Sequence, residues 1–277
     1  MPKRRKPHGR EENDALGIVV TWLGHSTAVV DLDGVRIVAD PLLRRNNGIL
    51  RRRGIQPVRA AWEAADAVLL SHLHHDHAEV PSLKLFQGVP VLTAPANATW
   101  VRRKGLDGRG LADDEWFPVG AEGHVEVRLV EAIHDSRPMP HRPNAANGHL
   151  VRGPSGVAWL AGDTDLYPGM AALSEIAGGS IDVALVPIGG WGPRLSPGHM
   201  GPQEAAVACR LSAARHAVPV HWKTLHVPAG EMVPRGWMDV AGPRFLEALA
   251  AEAPDCRAVD LDIGGSVTIP TVVSPGD

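Results

Sequence analysis

Beyond its basic first residues the chain alternates between short apolar runs and tight polar corners. Residues 18–23 and 27–32 are rich in Val, Ile and Thr and are separated only by Gly24-His25-Ser26. They therefore predict two strands folded back on each other. Asp33-Gly34 supplies the two positive-φ positions of a type I′ hairpin, so residues 35–39 are predicted to return antiparallel. Asp40-Pro41 closes that strand, because proline offers no amide hydrogen to a further ladder bond.

The rhythm then lengthens. A short helix is predicted at 60–65, a buried strand at 67–70, and a helix at 78–86 with Pro81 in its first turn. A strand at 90–93 leads to a helix at 95–104 that carries Pro near its start. In the second half, 125–132 alternates as a half-buried strand, and 157–161 and 182–188 are continuous apolar runs. Residues 202–215 place Ala206, Val207, Leu211 and Ala214 on one helical face, and 217–220 reads as the next strand. A helix at 243–253 and strands at 258–261 and 266–269 complete an alternating α/β pattern.

Length and composition narrow the class. A chain of 277 residues with 44% hydrophobic and 21% charged content is an ordinary soluble globular protein of one or two domains. A net charge of −3 argues against a general nucleic-acid binder, and no stable nucleic-acid partner is expected. The two cysteines, Cys209 and Cys256, stand in no metal-ligand spacing and suit a reducing, cytoplasmic setting. The basic start Lys3-Arg4-Arg5-Lys6 is followed by no apolar segment of a secretory signal, and no window approaches a membrane span.

Chemistry concentrates at Ser71-His72-Leu73-His74-His75-Asp76-His77, directly after the apolar run at 67–70. A buried strand emptying into four histidines and an aspartate is a metal-ligand pattern. In extended backbone, side chains at i and i+2 share a side, so His72 and His74 reach one ion together. Asp76 and His77 are aimed at a neighbouring point, which suggests two metals. Other candidates follow strand ends: His134 after 125–132, with His141 and His149 as rivals, Asp163 after 157–161, and His221 after 217–220.

The string His72-x-His74-x-Asp76-His77 resembles the HxHxDH signature of the metallo-β-lactamase superfamily. That resemblance implies an α/β fold, a four-layer αββα sandwich, with a dinuclear site at one edge. It places a single such domain at 16–270, between a disordered basic tail at 1–15 and a tail at 271–277. His72, His74 and His134 then bind one metal and Asp76, His77 and His221 the other. Asp163 in Gly162-Asp163-Thr164 bridges them. Two divalent ions are implied; the ligand types suit Zn²⁺ and are compatible with Mn²⁺ or Fe²⁺. His25, in its tight corner, is either a hydrogen-bonded structural group or a support for the site. Asp40 is a strand stop or, as in the family, a hydrogen-bonding support for the metal loop. His199-x-x-Pro202-x-x-Ala205 and the strand ending His221-Trp222 resemble the branch of N-acyl phosphatidylethanolamine phospholipase D and ascorbate-6-phosphate lactonases.

The function implied is hydrolysis by a metal-bridging hydroxide, with Asp76 orienting it and His199 donating a proton or stabilising charge. A phosphodiester or a phosphorylated or lactone small molecule is the expected substrate. Ester, thioester or amide hydrolysis is the alternative within the fold, and a non-catalytic anion-binding sensor or scaffold the alternative outside it. Arg51, Arg52 and Arg53 lie in a basic segment that in the family borders the active-site mouth, so they are candidate clamps for an anionic substrate. Trp191, with Trp222 and Trp237, suggests an aromatic wall.

Overall fold

The computed structural model describes residues 17–134, 142–143 and 145–271. The predicted N-terminal tail lies outside these residues, as do positions 272–277 and His141. The first half of the chain runs β1 (Gly17–Gly24), β2 (Thr27–Leu32), β3 (Val35–Ala39), β4 (Asn46–Asn47), β5 (Leu50–Arg52), β6 (Ala67–Leu69), α1 (Val80–Leu83), β7 (Pro90–Thr93), α2 (Pro95–Arg103) and β8 (Asp107–Gly110). The second runs β9 (Phe117–Val119), β10 (Val125–Glu131), β11 (Asn147–Gly153), β12 (Gly156–Leu160), α3 (Leu173–Ala177), β13 (Val183–Pro187), α4 (Pro202–Leu211), β14 (His216–Val220), β15 (Leu225–His226), α5 (Ala241–Glu252), β16 (Arg257–Ala258) and β17 (Ser266–Pro270).

Two seven-stranded sheets result, ordered β17-β1-β2-β3-β6-β7-β8 and β16-β14-β13-β12-β11-β10-β9. Each begins as an antiparallel meander and continues as parallel strands: β3, β6, β7 and β8 in one, β12, β13, β14 and β16 in the other. An antiparallel step can be made by a tight turn, as between β2 and β3, whereas each parallel step needs a crossover, and α2, α3, α4 and α5 lie in such crossovers. The sheets share one core in which Ile18, Val20 and Trp22 join Val127, Leu150, Trp159 and Leu185. Val29, Val38, Val68 and Val91 face the opposite way and pack under Leu83, Trp100 and Val101. On the far side, Ala205, Cys209, Phe245 and Leu249 close the second sheet. Helix, sheet, sheet and helix therefore form the four layers expected from the sequence. Each wholly buried Trp22, Trp159 or Phe245 contributes about 1.5–3 kcal/mol relative to exposure.

Several elements differ from expectation for local reasons. The helix predicted at 78–86 is only Val80–Leu83, because Pro81 lacks the amide hydrogen that would bond the His77 carbonyl. Asp76 and His77 instead occupy a turn in which the His77 and Ala78 amides bond the His74 carbonyl at 3.2 and 2.7 Å. The helix predicted at 60–65 is a single 3₁₀ turn at Arg59–Ala61, and Ala64 at φ 59° turns the chain toward β6. α4 stops at Leu211, short of 215, with Ala213 at φ 51° just beyond it. The strand predicted at 258–261 is confined to Arg257–Ala258. β4, β5 and β15 had no place in the sequence reading, and the strand read as opening at His149 is β11, which starts two residues earlier at Asn147.

Candidate metal centre

The chemistry-bearing side chains converge where strands end. β6 empties into the loop holding His72, His74, Asp76 and His77; β10 leads to His134, β12 to Asp163 and β14 to His221. Parallel strands present their carboxyl ends together, so residues scattered from 72 to 221 meet at one edge. The β1–β2 corner adds His25 and the end of β3 adds Asp40. His25, Asp40 and His221 take φ of 53°, 40° and 62°, a left-handed conformation that Asp and His adopt more readily than bulkier side chains. Gly24 beside them is required: a Cβ there would stand 2.6 Å from Arg52 Nη1.

Two groups form. His25, Asp76, His77 and His221 bring ligand atoms together at one point, and His72, His74, His134 and Asp163 at the next. Asp163 Oδ2 joins them, at 3.1 Å from His77 Nε2, 3.2 Å from His221 Nε2, 3.3 Å from His199 Nε2 and 3.8 Å from His72 Nε2. His74 Nδ1 and His134 Nε2 are 2.9 Å apart, and His77 Nε2 and His221 Nε2 are 3.2 Å apart.

Four of the outer ring nitrogens are spoken for. His77 Nδ1 donates to Asp40 Oδ2 (2.8 Å), His221 Nδ1 to the Gly189 carbonyl (2.8 Å) and His134 Nδ1 to the Gly198 carbonyl (2.7 Å). Ser71 Oγ donates to Asp40 Oδ2 at 2.7 Å and so accepts from His72 Nδ1 at 3.0 Å. Each ring is thus held in the tautomer that leaves its other nitrogen facing the cluster, as in metal-binding histidines. Asp40 also accepts the Ser71 amide at 2.8 Å, which fixes the loop at its first residue.

The residues fit a metal. His72 Nε2 and both oxygens of Asp163 are buried without any hydrogen bond, a costly arrangement for polar atoms unless something else satisfies them. The 2.9 Å between His74 and His134 and the 3.1–3.2 Å among His77, His221 and Asp163 approach the spacing of donor atoms held 2.0–2.2 Å from a shared ion, about 3–3.5 Å, and His72 stands slightly farther from Asp163 at 3.8 Å. The electrostatics agree. Burial, reinforced by the neighbouring imidazoles, holds His72 well below the ordinary histidine range and His74 at about 4, so both are neutral donors. Burial opposes ionisation of Asp163, but His221 and His77 outweigh it and hold the carboxylate well below its usual range. Burial likewise opposes the cations of His77 and His221, yet Asp163 outweighs it, raising His77 well above 6.5 and His221 to about 9. The cluster attracts positive charge, which a divalent ion supplies.

His199 borders the open side of the cluster. Its Nδ1 donates to the Ser196 carbonyl at 3.0 Å and its Nε2 faces Asp163. His149, the rival ligand, is buried away from both groups and pairs with Asn147 Nδ2 at 3.1 Å. Two other expectations need correction. Arg52 is buried: its guanidinium donates to the Leu23 carbonyl at 2.7 Å and to that of Leu42, so it props the corner behind His25 and offers no charge to a ligand. Burial lowers its pKa to about 10. Arg53 is spent on a surface pair with Asp239 at 2.7 Å, and Arg51 remains exposed on β5. Trp191 is 48% exposed and lines no described cavity, whereas Trp222 and Trp237 do. Sequence reasoning passed over Ser71 and Thr224, whose Oγ1 accepts the His25 amide at 2.7 Å. Ser71 was visible only as the residue preceding the histidine string.

Residues 35–222 match the Beta-lactamase superfamily domain, and with this fold and histidine–aspartate cluster they define a protein of the metallo-β-lactamase superfamily. A UPF0173 metal-dependent hydrolase of Nitratidesulfovibrio vulgaris is 31% identical over 261 residues, covering 90% of this chain and 95% of the relative. The chain belongs to that family of metal-dependent hydrolases. Among solved structures, Igni18, a metallo hydrolase from Ignicoccus hospitalis, superposes with a TM-score of 0.69 at 20% identity, covering 91% of this chain and 97% of that one. An isothiocyanate hydrolase from Delia radicum gut bacteria gives 0.67 at 16%, covering 90% and 98%. At these identities both speak for the fold alone.

Proposed function

We propose that the protein is a two-metal hydrolase of a small anionic ester, with a phosphodiester or a phosphorylated lactone as its first substrate class. The observation carrying this reading is the convergence of His77, His221 and His199 within 3.1–3.3 Å of Asp163 Oδ2, an oxygen without any hydrogen bond. His72, His74 and His134 would hold one ion, Asp76, His77 and His221 the other, with Asp163 shared. Zn²⁺ suits this ligand set, and Mn²⁺ or Fe²⁺ is compatible with it. The ions supply Lewis acidity and lower the pKa of a bound water.

The chain's own groups do the rest. Asp76, ionised and anchored by His25, orients the attacking water and takes up its proton. His199, at the solvent side with Nδ1 tied to Ser196, presents Nε2 to the leaving group. The pattern from His199 through Pro202 and Ala205 to His221-Trp222 supports the phosphodiester or lactone branch.

The test is metal content of the purified protein together with turnover of bis-p-nitrophenyl phosphate, a phosphomonoester and a lactone panel. About two metals per chain and turnover of one class, lost in Asp163→Ala and His72→Ala, support the reading. Persistent activity in both variants sinks the site assignment, and absence of bound metal favours a scaffold.

A further inference from the structure

The reaction outlined above leaves unused a cavity of about 280 Å³ between the loop that follows β13 and the start of α5. Its wall includes Leu195, Trp222, Trp237, Met238 and Val240. Leu195 and Val240 are 40% and 39% exposed, so the apolar lining is open and not sealed into the core. Apolar walls with a few convergent polar groups are the signature of a small-molecule site.

Those polar groups are cations. Lys223 and Arg244 line the cavity, and its lining contains no acidic residue. The Lys223 ammonium is engaged with the Leu261 carbonyl at 3.3 Å and the face of Trp222 at 4.4 Å. The Arg244 guanidinium has no hydrogen bond or ion pair among the described residues. A free guanidinium on an apolar cavity is suited to a carboxylate or phosphate.

The cavity also adjoins the candidate centre. Gly189 accepts the His221 ring proton, and Gly190 carries no side chain between them. A Cβ at Gly190 would lie 3.5 Å from Leu195 Cδ2 and 4.0 Å from His221 Cε1. About one methyl group of space therefore separates the cavity wall from a proposed metal ligand.

We propose that this cavity holds an apolar arm of the substrate that ends in an anionic group met by Arg244. An apolar cavity of about 150 Å³ accepts benzene. This one therefore suits a chain of about eight carbons or a bicyclic aryl group. The orientation rests on the hydrolase reading, with the scissile bond at the centre and the arm passing Gly190; the pocket itself does not.

Binding tests the pocket without turnover. Octanoate is titrated into the metal-loaded protein and into metal-stripped protein of unchanged circular dichroism, read by tryptophan fluorescence; Asp163→Asn replaces the stripped sample if stripping unfolds it. Octanoate should bind both forms within about threefold, with octanamide and butanoate at least about tenfold weaker. Arg244→Gln should weaken octanoate by about tenfold and leave octanamide unchanged, and Trp237→Ala should weaken both. Binding that vanishes with the metal, equal affinity for octanamide and octanoate, or indifference to Arg244→Gln overturns the proposal. Octanoate binding as expected without turnover of any ester supports the pocket and counts against the hydrolase reading alone.

Discussion

His25 Nε2 lies 2.9 Å from Asp76 Oδ2, although 51 positions separate the two residues. The His25 ring is held by its corner: its amide donates to Thr224 Oγ1, and its carbonyl accepts the Trp22 indole at 2.7 Å and the His221 amide at 2.9 Å. Burial drives the His25 pKa down to about 3, so the ring is neutral and donates to an ionised Asp76. The corner between β1 and β2 thereby aims a carboxylate from the loop after β6.

Replacing His25 removes that donor from a buried carboxylate. His25→Ala should lower kcat by about 10–100-fold and weaken metal binding to a similar degree. Metal titration combined with steady-state kinetics reads both. Unchanged affinity and kcat would make His25 a purely structural residue.

Asp40 ties together three groups of the loop after β6, accepting from the Ser71 amide, Ser71 Oγ and His77 Nδ1 at 2.7–2.8 Å. Asp40→Ala should destabilise the fold by about 3 kcal/mol, since charged hydrogen bonds count for about 1.5–3 kcal/mol and are not additive here. Urea denaturation of the metal-free protein measures this. A loss under about 0.5 kcal/mol would show that Asp40 does not hold the loop.

Arg52 distinguishes a prop from a substrate clamp. Arg52→Gln leaves the Leu23 and Leu42 carbonyls without their donor and should cost about 2–3 kcal/mol, with KM for anionic substrates nearly unchanged. Thermal unfolding and KM measured side by side decide the matter. A raised KM with normal stability would restore the clamp.

His149 predicts an acid limb. Burial pushes its pKa from 6.5 down to about 4, so near pH 5 the unfolded chain binds a proton that the folded one refuses. The contribution is fully present above pH 6.5 and is lost as pH falls toward 4, on the order of 3 kcal/mol. His149→Gln, which keeps an acceptor for Asn147, should flatten stability across that window relative to wild type. Parallel slopes in pH-dependent denaturation would place the acid sensitivity elsewhere.

The sequence by itself determined the strands that empty into chemistry. The runs before His72, Asp163 and His221, the Asp33-Gly34 hairpin and the histidine string are local patterns, and burial of a strand face imprints itself locally on residue type. Only the tertiary structure decided that His25 meets Asp76, that Arg52 turns inward while Arg51 stays out, and that Trp222 and Trp237 wall a cavity that Trp191 does not line. Those outcomes depend on which distant backbone carbonyl or carboxylate a side chain reaches after the sheets have stacked. Periodicity records that a position is buried or exposed, but not its partner, so a basic triplet reads the same whether its middle guanidinium serves a ligand or a corner.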